Sequence, residues 1–335
     1  MKIVVYEVEA WERETFERLR DEHEVVYHEE PLTEENAGDD ADADVISTFI
    51  YSECQSRVLD SFDHLKLIAS RSTGVDHIDM DWCDAHDVTV ANVPSYGENT
   101  VAEHAFALLL ALSHNIVEAA ERTDRGDFSQ DGLRGFDLRG RTLGVVGTGD
   151  IGEHALRIGR GFGMELVAFD VVRKEELADE IGFEYVELDE LLGRADVVTI
   201  HVPLNDATRG MIGPEQFDRM KDGVVLINTA RGAIVDVEAL TDALADGKVA
   251  AAGLDVLPEE PAIRDDTALL RERFRKEFDL NALLANHVLL RQKNVIVTPH
   301  SAFNTTDAIQ RILDTTVDNI VAFDAGEPEN VVSAE

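Results

Sequence analysis

The 335-residue chain carries 68 acidic and 30 basic residues, a formal net charge of −38 at pH 7, and is 44% hydrophobic. That length and apolar share support about two domains, each able to bury its own core, while so acidic a field leaves no basic stripe and excludes a nucleic-acid-binding surface. The acid is spread through regular structure rather than gathered in a tail, so it reads as a solvated surface adapted to high salt, where ions screen the self-repulsion.

Cys54 and Cys83 are too few and too isolated for a disulfide framework or a zinc site. The opening Met1-Lys2-Ile3-Val4-Val5-Tyr6-Glu7 reads as a strand that soon turns acidic, not as a signal peptide. The longest apolar run, Ala105 to Leu112, is too short to span a bilayer. A reducing, cytoplasmic location is the expectation, with no membrane partner.

Strands are predicted at Lys2–Tyr6, Val25–His28, Val45–Phe49, Leu67–Ser70 and Val88–Asn92, with helical patterns around Thr15–Arg20 and Cys54–Phe62. The acidic Thr33–Asp44 stretch reads as a loop. This alternation describes a small α/β domain with a parallel sheet. Asn99 is the expected N-cap of a long helix to about Ala120, burying Val101, Ala105, Leu108, Leu109 and Leu112. The polar, glycine-bearing Arg122–Gly140 segment leads into the second domain.

That domain is organised around Leu143-Gly144-Val145-Val146-Gly147-Thr148-Gly149-Asp150-Ile151-Gly152. A buried strand runs straight into a Gly-x-Gly-x-x-Gly turn and a helix over His154–Gly163. Gly147 allows the tight turn, Gly149 lets a pyrophosphate approach bare backbone, and Gly152 lets helix and strand pack closely. The helix N-terminus offers unpaired N–H groups to phosphates. A second strand, Glu165–Phe169, delivers Asp170 about twenty residues on, where an acid binds adenosine ribose hydroxyls and repels a 2′-phosphate. Arg173 and Lys174 stand beside it, and Asp150 places a negative side chain within the turn, pointing outward or capping the helix.

Further strands are expected at Val197–Val202, Val224–Asn228, Ala251–Leu254 and Val295–Thr298, and helices at Leu188–Leu192, Pro214–Met220 and Val237–Ala245. Ala262–Lys293 reads as an amphipathic helical excursion, either surface packing or an oligomer contact. A helix at Thr306–Phe323 returns to the first domain. Three blocks fall at or after strand ends, where open α/β sheets place ligands: Asn228-Thr229-Ala230-Arg231-Gly232, Gly253 to Pro261, and Thr298 to Phe303. Taken singly, Arg231 suits a structural ion pair, Asp255 a loop brace, Glu260 an ordinary loop residue and His300 a structural histidine. Together they supply a guanidinium, an imidazole and a carboxylate to hold it, the set that reduction of a 2-keto acid needs.

GTGDIG, Asp170, His201-Val202-Pro203-Leu204, NTARG, GLDV with the following Glu-Pro, and TPH occur in that order. In these motifs, from about residue 45 to the C-terminal helix, the chain resembles the NAD-dependent D-2-hydroxyacid dehydrogenase family. Arg71–Asp79 and Val93–Glu103 most resemble its D-lactate dehydrogenases. The resemblance implies two Rossmann/flavodoxin-like domains with an active-site cleft between them: residues 1–99 with 301–335 for substrate, and 100–300 for NAD. It implies that Arg231 grips the substrate carboxylate, that His300 is the general acid/base, and that Glu260 hydrogen-bonds His300 and raises its pKa. Gly74 and Val75 would offer backbone N–H groups to the carboxylate, and Tyr96 with Phe303 would line a small pocket. Cofactor contacts would come from Gly147, Thr148, Gly149, Asp150, Ile151, Gly152, Asp170, His201, Val202, Pro203, Asp206, Thr229, Ala230 and Arg231, with Asp255 ordering the loop beside the nicotinamide. A homodimer is also implied, with the Asn99–Ala120 helix near the contact. The expected reaction is NADH-dependent reduction of a small, pyruvate-like 2-keto acid to the D-hydroxy acid, without a metal. A glyoxylate or hydroxypyruvate reductase and a phosphoglycerate dehydrogenase share the same catalytic set. A non-catalytic NAD sensor, like the corepressor relatives of the family, is the alternative from another class.

Overall fold

A computed structural model describes residues 1–75, 77–258 and 280–332. The chain divides into two compact units, Met1–Tyr96 with Asn304–Glu335, and Gly97–Phe303. The first holds a five-stranded sheet in the order β2-β1-β3-β4-β5, formed by β1 (Lys2–Val5), β2 (Glu24–Tyr27), β3 (Val45–Thr48), β4 (Leu67–Ser70) and β5 (Thr89–Ala91). All its pairings are parallel. Both faces are covered, which is why these strands read as apolar runs rather than alternations. The period of two still sorts them: Ile3, Val5, Val45, Leu67 and Ala69 enter one core, and Val4, Ile46 and Ile68 the other. The helix Thr306–Asp324 belongs to this unit and buries Leu313, Val317 and Ile320 in the first of those cores. Arg18 pairs with Asp314 and Asp318 on its exposed side.

The second unit carries a seven-stranded sheet. Its strands are β6 (Thr142–Val146), β7 (Glu165–Phe169), β8 (Glu184–Tyr185), β9 (Val197–Ile200), β10 (Val224–Asn228), β11 (Val249–Leu254) and β12 (Val295–Val297). The order β12-β11-β10-β9-β6-β7-β8 reverses direction between β9 and β6, the kind of switch point at which open parallel sheets bind nucleotides. Leu143, Val145, Val197, Val225 and Ile227 face one core, while Val146, Val198, Ile200, Val224 and Leu226 face the other. Gly144 is required here because a Cβ would lie 2.6 Å from the Leu191 side chain and 2.9 Å from that of Ala195.

Several elements depart from the sequence reading. The expected continuous helix to Ala120 is two helices, Glu98–Ser113 and Ile116–Asp124, bent by 62°. Asn115 breaks it by taking the left-handed conformation at φ 53°, which Asn tolerates better than most residues. The N-cap is Gly97, not Asn99, which lies inside the helix and donates to Glu103 at 3.1 Å. Helices Met80–Ala85 and Glu175–Ile181 and the two-residue strand β8 were not expected. The Thr33–Asp44 loop contains a short 3-10 turn at Ala37–Asp40. Of the 262–293 excursion, residues 262–279 lie outside the described part. Leu280–Leu289 is helical, burying Ala282, Ala285 and Leu289 and exposing Leu284 and Val288. Among the described residues no single helix is long and apolar enough to cross a membrane.

Candidate active site

The glycine-rich turn is shaped by contacts that only glycine permits. Gly147 sits at φ 96°, and a Cβ there would meet the His201 carbonyl carbon at 2.8 Å. At Gly152 a Cβ would lie 2.0 Å from the Gly147 carbonyl oxygen, so turn and helix are in direct backbone contact. Gly149 has nothing within 4 Å of a virtual Cβ and caps the twelve-residue helix Asp150–Gly161. Closed at both ends and open in the middle, the turn fits a diphosphate lying on bare N–H groups at a helix N-terminus. Asp150 is exposed and begins the helix rather than capping it, where a negative charge suits the dipole. Ile151 follows, half-buried.

Asp170 leaves the end of β7 and is tied back to this turn. Its Oδ2 accepts from Thr148 N at 2.6 Å and Thr148 Oγ1 at 3.0 Å, and its Oδ1 accepts from Val172 N at 3.0 Å. Burial pushes its pKa up, but these donors outweigh it and hold the carboxyl below its ordinary value. The group is therefore a pre-oriented carboxylate. Tyr185, on β8, completes the frame: its hydroxyl bonds Thr148 Oγ1 at 2.8 Å and accepts from Lys174 N at 3.1 Å. Of the two cations that follow Asp170, Arg173 is engaged elsewhere, pairing with Glu187 at 2.8 Å.

His201, Val202 and Pro203 follow β9 against Gly147. The His201 ring bonds Thr199 Oγ1 at 2.9 Å, and desolvation lowers its pKa to about 4, so it is neutral at neutral pH. Asp206 stands exposed in the next turn. After β10, Ala230 N donates to Asn228 Oδ1 at 3.0 Å, while Thr229 Oγ1 is buried with no hydrogen-bond partner among the described residues. A buried hydroxyl in that state is suited to a bound polar group.

Arg231, Asp255 and His300 follow the carboxyl ends of β10, β11 and β12, three adjacent strands of one sheet. Parallel neighbours lie about 4.8 Å apart, which places the outer two strands roughly 10 Å from each other. The Arg231 carbonyl accepts from Asn228 Nδ2 at 3.0 Å, and its guanidinium donates to the Ala230 carbonyl at 2.9 Å. Gly232 beside it touches the next loop: a Cβ would lie 2.1 Å from the Leu257 carbonyl carbon.

Asp255 is 1% exposed. Its Oδ1 accepts from Thr298 Oγ1 at 2.5 Å and from Ser301 N at 2.9 Å, and its Oδ2 from Ala302 N at 2.8 Å. The backbone carbonyl of the same residue accepts from His300 N at 2.9 Å. Asp255 thus grips the 298–302 turn by both its side chain and its main chain. Held inside that turn, His300 takes φ 54°, a conformation costing a non-glycine residue about 1–3 kcal/mol and concentrated at functional sites. Burial raises the pKa of Asp255, but donation from His104, Thr298, Ser301 and Ala302 outweighs it, and the group stays ionised.

In the first unit, Gly74 and Val75 are half-buried, and their carbonyls accept from Ser72 Oγ at 2.7 Å and Ile78 N at 2.9 Å. The Tyr96 carbonyl accepts from Arg311 Nε at 2.5 Å. Phe303, half-buried, ends the second unit. Glu260 lies outside the described residues. Reading the sequence missed Tyr185 and His104, and gave Thr298 no role of its own within the Thr298–Phe303 block. A histidine in an otherwise Ala- and Leu-rich helix was the available signal for His104.

The profile described as the NAD binding domain of D-isomer specific 2-hydroxyacid dehydrogenase matches residues 106–302. The chain belongs to that family. It is 33% identical to the D-lactate dehydrogenase of Escherichia coli over 335 residues, covering 98% of each protein. It is 36% identical to the glyoxylate reductase of Korarchaeum cryptofilum over 299 residues, 88% of this chain and 84% of that one. The crystal structure of D-lactate dehydrogenase from Aquifex aeolicus complexed with NAD and lactic acid superimposes with a TM-score of 0.84 at 34% identity, covering 99% of both chains. This 2-hydroxyacid dehydrogenase acts on a CH–OH group and uses NAD.

If the glycine turn and Asp170 hold the coenzyme, one outcome is checkable by coenzyme binding alone. Asp170→Asn removes the negative charge beside the turn, so discrimination between NADH and NADPH should narrow roughly tenfold or more, the worth of one hydrogen bond to a charged group. Dissociation constants from NADH and NADPH fluorescence would measure it. Unchanged selectivity would remove Asp170 from the ribose site.

Proposed function

We propose that the chain reduces a small, pyruvate-like 2-keto acid to the D-2-hydroxy acid. NADH, when bound, supplies the hydride. Gly147 to Gly152, Asp170, His201 to Pro203, Asp206 and Thr229 to Arg231 hold that cofactor. Arg231 grips the substrate carboxylate with two parallel N–H donors, aided by the Gly74 and Val75 backbone N–H groups. His300 gives its proton to the carbonyl oxygen as the alcohol forms, and recovers it in the reverse direction. Tyr96 and Phe303 flank a short substrate tail. The observation that carries this reading is the Asp255-gripped turn holding His300 at φ 54°, two strands from Arg231.

A phosphorylated substrate is disfavoured by where the few cations between Tyr51 and Arg71 go. Arg71 is 2% exposed and donates to the Tyr6 and Glu7 carbonyls beside Glu12. Arg57 pairs with Glu53 at 3.1 Å, and Lys66 with Asp44 at 2.7 Å. Oxidation of NADH by pyruvate, glyoxylate, hydroxypyruvate, phosphohydroxypyruvate and phenylpyruvate in molar KCl tests the assignment. Pyruvate should give the highest kcat/KM. A preference for glyoxylate or hydroxypyruvate would make the chain a reductase of those acids, and tight NADH binding without turnover of any acid would favour the non-catalytic sensor.

The same reading includes adaptation to high salt, a homodimer and a reducing, cytoplasmic compartment. The acidic excess supports the first. Exposed Ile116, Val117 and Phe128, on and just after the helix Ile116–Asp124, support the second. Free, buried Cys54 and Cys83 suit the third. Raising KCl from millimolar to molar should lift the melting temperature by more than about 5 °C, and light scattering should give twice the chain mass. A flat melting temperature, or a monomer at molar salt, would count against the corresponding part.

A further inference from the structure

We propose that His104 is a positioning residue of the active site, acting through Thr298 and Asp255 on the turn that carries His300; the catalytic half of this proposal rests on His300 being the proton donor. His104 lies mid-way along the helix Glu98–Ser113, whose apolar side enters the core through Val101, Ala105, Leu108 and Leu109. Its side chain is 22% exposed and turns instead toward the end of β12. There its Nε2 lies 3.0 Å from Thr298 Oγ1 and 3.4 Å from Asp255 Oδ1.

Counting protons fixes the direction of the chain. Thr298 has a single hydroxyl proton, and the 2.5 Å contact with an ionised, acceptor-only carboxylate commits that proton to Asp255. What Thr298 then presents to His104 is a lone pair, so Nε2 must carry a hydrogen and donate it. The relay runs His104 Nε2–H to Thr298 Oγ1–H to Asp255 Oδ1. Beyond it the carboxylate receives Ser301 N and Ala302 N, and the Asp255 carbonyl receives His300 N. The carboxylate could rotate away from Ser301 and Ala302 if it lost the Thr298 hydroxyl, which reaches the same Oδ1 that accepts Ser301 N. His104 holds that hydroxyl in place by donating to it, and this fixes the plane in which Asp255 meets the turn. An ordinary core-edge histidine would need only one satisfied nitrogen; this one closes a chain of hydrogen bonds that ends on His300.

Two variants test it. His104→Leu removes the donor at similar volume, whereas His104→Gln restores an amide N–H at comparable reach. In the leucine variant kcat for keto-acid reduction should fall on the order of tenfold, the loss of one hydrogen bond to a charged group, with the NADH dissociation constant changed by less than about twofold. Amide exchange of the 298–303 peptide, read by mass spectrometry on the whole protein, should accelerate roughly tenfold as the Ser301 and Ala302 bonds loosen. Glutamine should return kcat and exchange to within about threefold of wild type. Wild-type kcat with unaltered 298–303 exchange in the leucine variant would overturn the proposal. So would a lowered melting temperature with no local change in exchange, which marks a residue that only packs. If the wild type reduced no keto acid, the assignment of His300 would fail, while the exchange arm would still decide whether His104 holds the turn.

Discussion

Replacing His300 with alanine should lower keto-acid reduction by about 10²–10⁴-fold, the usual contribution of a positioned general acid, while NADH affinity stays within about twofold. The separation follows from the fold. The glycine turn and Asp170 belong to β6 and β7, whereas His300 follows β12 at the opposite end of the same sheet. Alanine at φ 54° carries a strain that the native turn already bears, yet it also lacks any polar group to hold the loop. His300→Asn is therefore the stricter variant, because asparagine accepts the left-handed conformation but titrates nowhere near neutrality. Both should lose about 10²–10⁴-fold in turnover with NADH binding preserved. Turnover near wild type in the asparagine variant would remove His300 from the chemistry.

Arg231→Lys should lower kcat/KM for the keto acid by about 10–100-fold, mostly through KM. One charge-assisted hydrogen bond is lost, at roughly 1.5–3 kcal/mol, and lysine cannot reproduce a planar fork. The backbone beneath the side chain leaves little room for compensation. Arg231 sits between Asn228, which holds its carbonyl, and Gly232, which abuts the Leu257–Pro258 peptide. A lysine would start from the same fixed point with a single ammonium. Steady-state kinetics over a range of keto-acid concentrations would separate the constants. If both stayed near wild type, the substrate carboxylate would bind elsewhere.

Much of the fold was legible because parallel strands covered on both faces are continuous apolar runs. Val45–Thr48, Leu67–Ser70 and Val224–Asn228 could be read directly, and Gly-x-Gly-x-x-Gly has a physical reason at each glycine. What could not be read depended on partners distant in the chain. Neither Gly nor Pro interrupts the helical pattern at His114–Asn115, and the one local mark of the bend is Asn115 itself, too weak a signal within an apolar helical run. Its break is stabilised instead by the returning segment: Asn115 Nδ2 donates to the Leu133 carbonyl at 3.3 Å, and Phe136 N donates to the Ser113 carbonyl at 2.9 Å. Asn99 looked like an N-cap because its residue type suits one, yet the cap is Gly97 and the helix starts at Glu98. The separation of 194 positions between His104 and Thr298 hid that contact in the same way. Tyr185 escaped notice because β8 is only two residues long.

The mechanism requires Arg231 and His300 to address the same oxoacid. A crystal structure of the protein with NADH and oxamate, an unreactive analogue of pyruvate, would show whether they do. The oxamate carboxylate should pair with the Arg231 guanidinium through two N–H donors, with the neighbouring carbonyl oxygen within hydrogen-bond distance of the His300 ring. Oxamate bound with either side chain turned away from it would contradict the mechanism.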